Sequence, residues 1–132
     1  MPPENKPPHD YDWRQPVRLR DKQALLKKPW TPGIVAAMND LHFKLAKLDG
    51  EFVWHSHDDT DETFLCLEGE VEIQLRDGAV TLREGDLFVV PRGVEHRPVA
   101  HSPCVVLLIE PAGVVNTGDA ESELTAPNDV WL

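Results

Sequence analysis

The sequence predicts an all-β domain built as a sandwich or barrel. Short alternating or apolar runs follow one another from residue 41 to residue 111, and Asp-Gly pairs at Asp49-Gly50 and Asp77-Gly78 separate several of them. Such pairs between alternating runs are the strongest local signal for a hairpin. Helical periodicity is almost absent beyond the first 30 residues, and many closely spaced strands with little helix are typical of sandwiches and barrels.

Length and charge limit the class of protein and its partners. A chain of 132 residues suits one domain with a single core. The net charge of -10, from 23 acidic and 13 basic residues, argues against nucleic-acid and anionic-membrane partners, which require positive surface. The sequence shows no apolar run near the roughly 20 residues of a membrane-spanning helix and no signal-peptide pattern at its start. We therefore expect a cytoplasmic protein.

The N-terminal region, residues 1–29, is predicted to be an arm followed by a short helix. Residues 1–20 are rich in proline and charge and show no sustained period, which favours an extended arm. A helix is expected over 21–28, because Asp21 can serve as its N-cap and Pro29 ends it.

The barrel is predicted to occupy residues 30–112. Three of its runs, 64–67, 87–90 and 104–109, are apolar on both faces, which indicates cover on both sides. One side is then the barrel interior, and a second subunit would cover the other, so we expect a homodimer. Local cover by the chain's own tail is the alternative. The predicted strands are 34–38, 41–48, 51–57, 63–68, 71–76, 79–83, 86–91 and 104–110.

The C-terminal tail, residues 113–132, is polar with two apolar islands that we expect to pack on the barrel. Its Asn116–Asp119 stretch carries no recognisable function. The cysteines Cys66 and Cys104 each lie inside an apolar run without metal-ligand spacing, so we interpret them as buried structural thiols.

Two stretches carry residue types that ligate transition metals. His55 and His57 are two apart, so an extended strand would point both imidazoles to one side. Glu62 follows a polar run short enough to turn its carboxylate back toward them, and His96 follows a strand and a Pro-Arg-Gly turn. Three imidazoles and a carboxylate suit a divalent ion such as Fe(II), Mn, Ni or Zn. Alternative carboxylates exist in the intervening run, which we interpret as a solvated loop: Asp58, Asp59 and Asp61.

The same stretches resemble the two cupin motifs, G-x5-H-x-H-x(3,4)-E-x6-G and G-x5-P-x-G-x2-H-x3-N. Two departures occur: the first spacer is one residue short, and Ala100 stands where the final Asn is expected. The resemblance spans roughly residues 30–110 and implies a double-stranded β-helix, the jelly-roll barrel, of roughly six to eight strands. It implies that His55, His57, Glu62 and His96 bind one divalent metal. The matching residues are Gly50, His55, His57, Glu62 and Gly69 in the first motif and Gly85, Pro91, Gly93 and His96 in the second.

The resemblance does not imply a reaction, because cupins host many activities. Four protein ligands leave about two positions open on an octahedral ion, and an open coordination sphere is typical of catalysis. We expect a metal-dependent enzyme, isomerase/epimerase-like or dioxygenase-like, acting on a small polar or anionic molecule such as a sugar or sugar acid. The alternative is a non-catalytic module that binds or senses a small ligand.

A hairpin register adds two candidate catalytic residues. If Asp49-Gly50 is a two-residue turn, Lys44 faces His55 and His42 faces His57, and directly opposed residues share a face. Both side chains would then point into the metal cavity, where Lys44 would pair with an anionic ligand or serve as an acid or base. In the alternative, the two runs form a corner between sheets and Lys44 lies in solvent.

Overall fold

The predicted all-β fold is confirmed as an antiparallel jelly-roll barrel. A computed structural model describes residues 7–132, so residues 1–6 of the expected arm lie outside the described residues. The elements are one short helix, α1 (Leu19–Gln23), and the strands β1 (Gly33–Met38), β2 (Leu41–Glu51), β3 (Glu62–Glu68), β4 (Val71–Leu75), β5 (Gly78–Leu82), β6 (Leu87–Val90) and β7 (His96–Pro111).

The longest strand, β7, joins the two parts of the barrel. Its first residues pair with β4, and its second half lies between β2 and β3. The main sheet has the order β1-β2-β7-β3-β6, while β4 also pairs with β5. Because β7 contributes to both parts, a residue at its start and a residue at its end both reach the barrel interior.

Alternation along the central strands separates an inner and an outer apolar cluster. On β2, Ala46 and Leu48 belong to the inner cluster, whereas Leu45 belongs to the outer one. The inner cluster fills the barrel with side chains that include Phe64, Cys66, Val71, Ile73, Val106 and Leu108. The outer cluster consists of Leu26, Val35, Leu45, Val105 and Leu107, with Val17 and Leu19 packed against it.

The arm provides much of the cover that the doubly apolar strands require. Leu26 is buried on the outer face of β2 and β7, so the chain itself covers this surface. On β6 the situation differs, because Leu87 and Val89 remain 60% and 44% exposed. Cover by a second subunit is therefore unnecessary over β7, whereas β6 keeps two large exposed apolar side chains.

The expected hairpin at Asp49-Gly50 is wrong. β2 continues through both residues and pairs with β7, with a shift in register between Leu48 and Gly50. Gly50 adopts a φ of 81°, a left-handed conformation that Asp-Gly pairs supply to β-bulges as readily as to turns. The residue pairs expected from that hairpin do not form, because Lys44 faces Leu108 and His42 faces Glu110.

The predicted strand over 51–57 is also wrong, since this segment is a loop apart from its first residue and a bridge at His55. The hairpin predicted at Asp77-Gly78 does form, with Arg76-Asp77 as its two-residue loop between β4 and β5. The two Asp-Gly pairs thus adopt different structures, because cross-strand partners rather than local sequence decide whether the chain reverses.

The helix begins and ends earlier than predicted. It spans five residues, its N-cap is Arg18 rather than Asp21, and Arg18 provides no side-chain capping bond. A helix this short has little stability of its own, so packing decides its bounds, and the following turn places Leu26 on the sheet. Within residues 7–132 there is no helix long and apolar enough to cross a membrane.

The C-terminal tail returns to the first strand. Leu132 N donates to Ile34 O at 2.9 Å, and Ile34 N donates to Val130 O at 2.8 Å. Lys22 Nζ donates to the Leu132 carbonyl at 2.9 Å, which links the tail to α1. The two ends of the described chain therefore meet beside β1.

Candidate metal centre

Four side chains from the two sequence stretches meet inside the barrel. His55, His57, Glu62 and His96 each offer a ligand atom, and these atoms lie within 4.8 Å of one another. All four residues are at most 7% exposed. Their ring and carboxylate atoms therefore surround a volume of the size that one metal ion occupies.

Backbone bonds between the two stretches hold the ligands together. His55 N donates to His96 O at 3.1 Å, and His96 N donates to His55 O at 2.9 Å. Gly93 N donates to His57 O at 2.9 Å, which ties the second turn to the first loop. Since the segment around His55 is a loop, this bridge to the start of β7, rather than strand geometry, brings the rings to one side.

Hydrogen bonds to backbone carbonyls determine which nitrogen of each histidine ring can bind a metal. Nδ1 of His55 lies 2.9 Å from Val53 O, and Nδ1 of His96 lies 2.9 Å from Val94 O. A carbonyl oxygen only accepts, so each Nδ1 carries a proton, and Nε2 is the nitrogen of each ring that can ligate a metal when it is deprotonated. This arrangement is the usual one for metal-ligating histidines.

Glu62 sits between two of the imidazoles. Its Oε1 is 3.2 Å from Nε2 of His96, and its Oε2 is 3.4 Å from Nε2 of His57. Burial alone would raise the pKa of Glu62, but the close imidazoles of His57 and His96 outweigh burial and hold the pKa below its usual range. The carboxylate is therefore anionic, as a metal ligand must be.

One buried atom tests whether these residues fit an ion. Nε2 of His57 is buried without a hydrogen-bond partner, because its approach to Glu62 lacks hydrogen-bonding geometry. A buried polar nitrogen left unsatisfied is costly, and a metal ion beside it would remove that cost. The donor set and this orphaned nitrogen both fit a divalent transition metal.

The neighbouring aspartates lie outside this cluster. Asp61 is exposed and accepts from Arg92 N at 2.9 Å, so it connects the acidic loop to the second turn. Asp58 is exposed and accepts from Ser56 Oγ at 3.1 Å, and Asp59 is exposed as well. Their positions agree with the interpretation as a solvated loop.

A comparison with known protein families identifies the family of this chain. A family model described as Cupin domain matches residues 41–110, which is more than half of the chain. The chain belongs to the cupin family. Both motif stretches that form the cluster lie inside the matched range.

Three individual proteins are similar to this chain. A cupin-2 domain containing protein from Shewanella frigidimarina is 47% identical, with a TM-score of 0.71 over 72% of this chain and 93% of its own. Protein NMB1881 from Neisseria meningitidis is 35% identical, with a TM-score of 0.68 over 74% of this chain and 99% of its own. The Bacillus subtilis protein YdbB is 36% identical over 77 residues, 58% of this chain and 68% of that protein.

A buried ion pair lies beside the candidate metal ligands. Lys44 Nζ is 3.0 Å from Oε1 of Glu110, with side chains 3% and 2% exposed. Burial, followed by the negative charge of Glu62, raises the pKa of Glu110, whereas Lys44 opposes this rise. Sequence reasoning missed Glu110. The signal available in the sequence was a lone carboxylate at the end of an apolar strand. A carboxylate that faces the interior at such a position needs a partner for its charge.

The burial of Lys44 and His42 follows from β2 pairing with β7 rather than from the hairpin. Lys44 is 2% exposed and His42 is 6% exposed, and the Nδ1 of His42 is buried without a partner. Burial, then the charge of Lys44, lowers the pKa of His42, so its ring is neutral. A side chain of the protein, Glu110, therefore contacts Lys44 where we expected an anionic ligand.

A small apolar cavity lies beside the cluster. It measures about 30 Å3 and is bordered by His55 and Glu62. Trp30 and Phe52 stack with ring centroids 4.6 Å apart in its wall. Asn116 also borders the cavity, but its amide is engaged by the backbone at Trp30, Leu124 and Ala126. The remaining wall is apolar: Pro32, Ala46, Leu48, Phe64, Pro98 and Leu108.

Proposed function

We propose that this cupin is a metal-dependent enzyme that holds one divalent transition metal through His55, His57, Glu62 and His96 and acts on a small molecule. The observation that carries the proposal is the buried cluster of three imidazoles and one carboxylate whose ligand atoms lie within 4.8 Å of one another. Such a set leaves about two coordination positions for water or substrate on an octahedral ion. When bound, the ion supplies Lewis acidity and, if it is iron or manganese, redox capacity.

The surroundings of the site support a compact substrate with a polar end and an apolar body. The cavity beside His55 and Glu62 is apolar and has room for about two water-sized groups, so it favours the apolar part of a ligand. A fully hydroxylated molecule would leave its hydroxyls unpaired against Trp30 and Phe52, which is unfavourable. Within the predicted isomerase-like and dioxygenase-like reactions, these walls favour a sugar-derived acid or ketone with a small apolar edge over an intact sugar.

Lys44 and His42 are the proposed acid–base residues. Both project from β2 into the interior, opposite Leu108 and Glu110 of β7. Lys44 can donate a proton, and neutral His42, with an unpaired Nδ1, can accept one. The homodimer and the cytoplasmic location are proposed alongside this activity.

Metal analysis of the protein purified without chelators or affinity metals tests the proposal. We expect one divalent ion per chain in the wild type and a large loss of affinity in His57→Ala. Asp59→Ala is the matched control, since Asp59 lies in the same loop and is exposed. Binding should weaken as pH falls through roughly 6, because protons compete for the imidazoles. Full metal content in His57→Ala would contradict the ligand assignment.

A substrate screen then separates the reactions. Small carbonyl compounds, sugar acids and phenols would be supplied to the metal-loaded protein. Oxygen uptake that depends on added Fe(II) would support a dioxygenase-like reaction. Isomerisation without oxygen uptake would support an isomerase/epimerase-like reaction. Tight ligand binding without turnover under any metal would contradict the enzyme proposal and leave a binding module.

A further inference from the structure

The C-terminal tail contacts the metal-ligand loop at the residue between its two histidines. Asp119 Oδ1 accepts from Ser56 N at 2.8 Å, and Asp119 N donates to Ser56 O at 3.1 Å. Ser56 lies between His55 and His57 in the sequence and is 5% exposed. Both polar groups of this residue's backbone are therefore held by one residue of the tail, 63 positions away.

Gly118 permits this approach. A Cβ atom at this position would lie 2.2 Å from the Ser56 carbonyl oxygen and 3.2 Å from Cδ2 of His55. Its φ of 55° is in the left-handed region that favours glycine. A side chain at this position would collide with the Ser56 carbonyl and crowd the His55 ring, so only a glycine fits here.

Hydrogen bonds on both sides keep this part of the tail rigid. Gly118 N donates to Val115 O at 3.0 Å, and Ala120 N donates to Thr117 O at 2.9 Å. The Asn116 side chain makes three bonds to the backbone. Thr117 is fully buried, with its Oγ1 2.7 Å from that of Thr125. The segment 116–119 therefore acts as a preformed support rather than a loose end, and we call it the tail clamp.

We propose that the tail clamp positions His55 and His57 for metal binding and that Asp119 is its principal positioning residue. This inference rests on the proposed function, since it assigns a role toward the same ion. Asp119 itself is not part of the ligand cluster. It acts by fixing the peptide that joins the two ligands, and loss of such outer support typically lowers metal affinity by about 10- to 100-fold.

Cobalt(II) titration of the full chain tests the clamp, with the visible absorption spectrum of the bound ion as a second readout. We expect Asp119→Ala to weaken Co²⁺ binding by at least about tenfold and to change the spectrum at saturation, because the rings lose their fixed orientation. Asp119→Asn keeps Oδ1 as an acceptor and should restore the spectrum, with an affinity within about threefold of wild type. Glu121→Ala is the charge-matched control from the same tail, where Glu121 is exposed, and should behave as wild type.

Amide hydrogen exchange of the metal-free proteins provides an independent readout. Exchange at Ser56 should be faster in Asp119→Ala than in wild type or Asp119→Asn, and Gly118→Ala should reproduce the Asp119→Ala result. An Asp119→Ala protein with wild-type Co²⁺ affinity, spectrum and Ser56 exchange would overturn the clamp. A wild type that binds no Co²⁺ would overturn the proposed function, and in that case the exchange rates alone support or overturn the clamp.

Discussion

Lys44 and Glu110 form a buried pair in which each charge depends on the other. Their atoms are 3.0 Å apart, and the second oxygen of Glu110 is buried without a hydrogen bond. Removing one partner of a buried pair leaves an uncompensated charge, whereas replacing both by apolar groups is often neutral or favourable. Single and double variants can therefore separate the energetic contribution of the two charges from that of side-chain packing.

We expect Lys44→Met to lower the free energy of unfolding by about 3 kcal/mol, measured by urea denaturation. Metal content should stay unchanged because Lys44 is not a ligand, while ligand affinity or turnover should fall if its proposed catalytic role is right. Lys44→Met combined with Glu110→Leu should recover most of the lost stability. Equal instability of the single and double variants would show that the packing of Lys44, and not its charge, is responsible.

Cys104 allows a prediction about pH. Burial raises the pKa of its thiol to about 12, and the thiol is free. At pH 8 the native protein should therefore react with a thiol-specific disulfide reagent far more slowly than the urea-unfolded chain. The unfolded thiol ionises near pH 8.5, so its contribution to stability is present below that pH and decreases as pH rises toward 12. Rapid labelling of the folded protein at pH 8 would contradict this.

At the scale of elements, α1 and the turn after it serve as a cover for the sheet. Leu26 is 8% exposed in the outer cluster, whereas the adjacent Leu25 is 52% exposed. The two neighbours have the same chemistry and opposite environments. They separate the contribution of apolar burial from that of helix propensity.

Leu26→Ala should destabilise the protein by about 2–4 kcal/mol, because it removes buried methyl groups and leaves a cavity against Leu45 and Val105. Leu25→Ala should change stability by less than about 0.5 kcal/mol. Thermal or urea unfolding of the two variants checks the difference. Similar effects at both positions would mean that the arm does not pack on the sheet in solution.

At the scale of the whole molecule, β6 forms one edge of the main sheet and β1 the other. Leu87 and Val89 on β6 are large, exposed and directly opposite Leu65 and Thr63 of β3. An apolar edge strand is prone to pair with another chain. This surface is where we place the contact of the predicted homodimer.

Light scattering should therefore give a dimer at micromolar concentration, and Leu87→Lys with Val89→Lys should give a monomer. Met38→Lys is the control, because Met38 is 51% exposed and lies on β1 at the opposite edge. A wild-type monomer would contradict the homodimer. A dimer that survives both β6 substitutions would place the contact elsewhere.

The sequence alone determined the fold class and the four residues of the candidate metal site. Short runs with period-two or fully apolar patterns report strands directly, because side chains alternate across a sheet. The histidine and glutamate spacings identified four residues that the structure brings within 4.8 Å. These signals are local, so they do not depend on which strand pairs with which.

Only the tertiary structure decided the features that depend on pairing across the chain. Asp77-Gly78 and Asp49-Gly50 look alike in sequence, yet the chain reverses only at the first, since β7 supplies a partner that lets β2 run on. Lys44 acquires Glu110 through that same pairing. The contact of Asp119 with Ser56 joins residues 63 positions apart. A tail without periodic pattern carries no local signal of such a contact, because its energy comes from groups that meet only in the folded barrel.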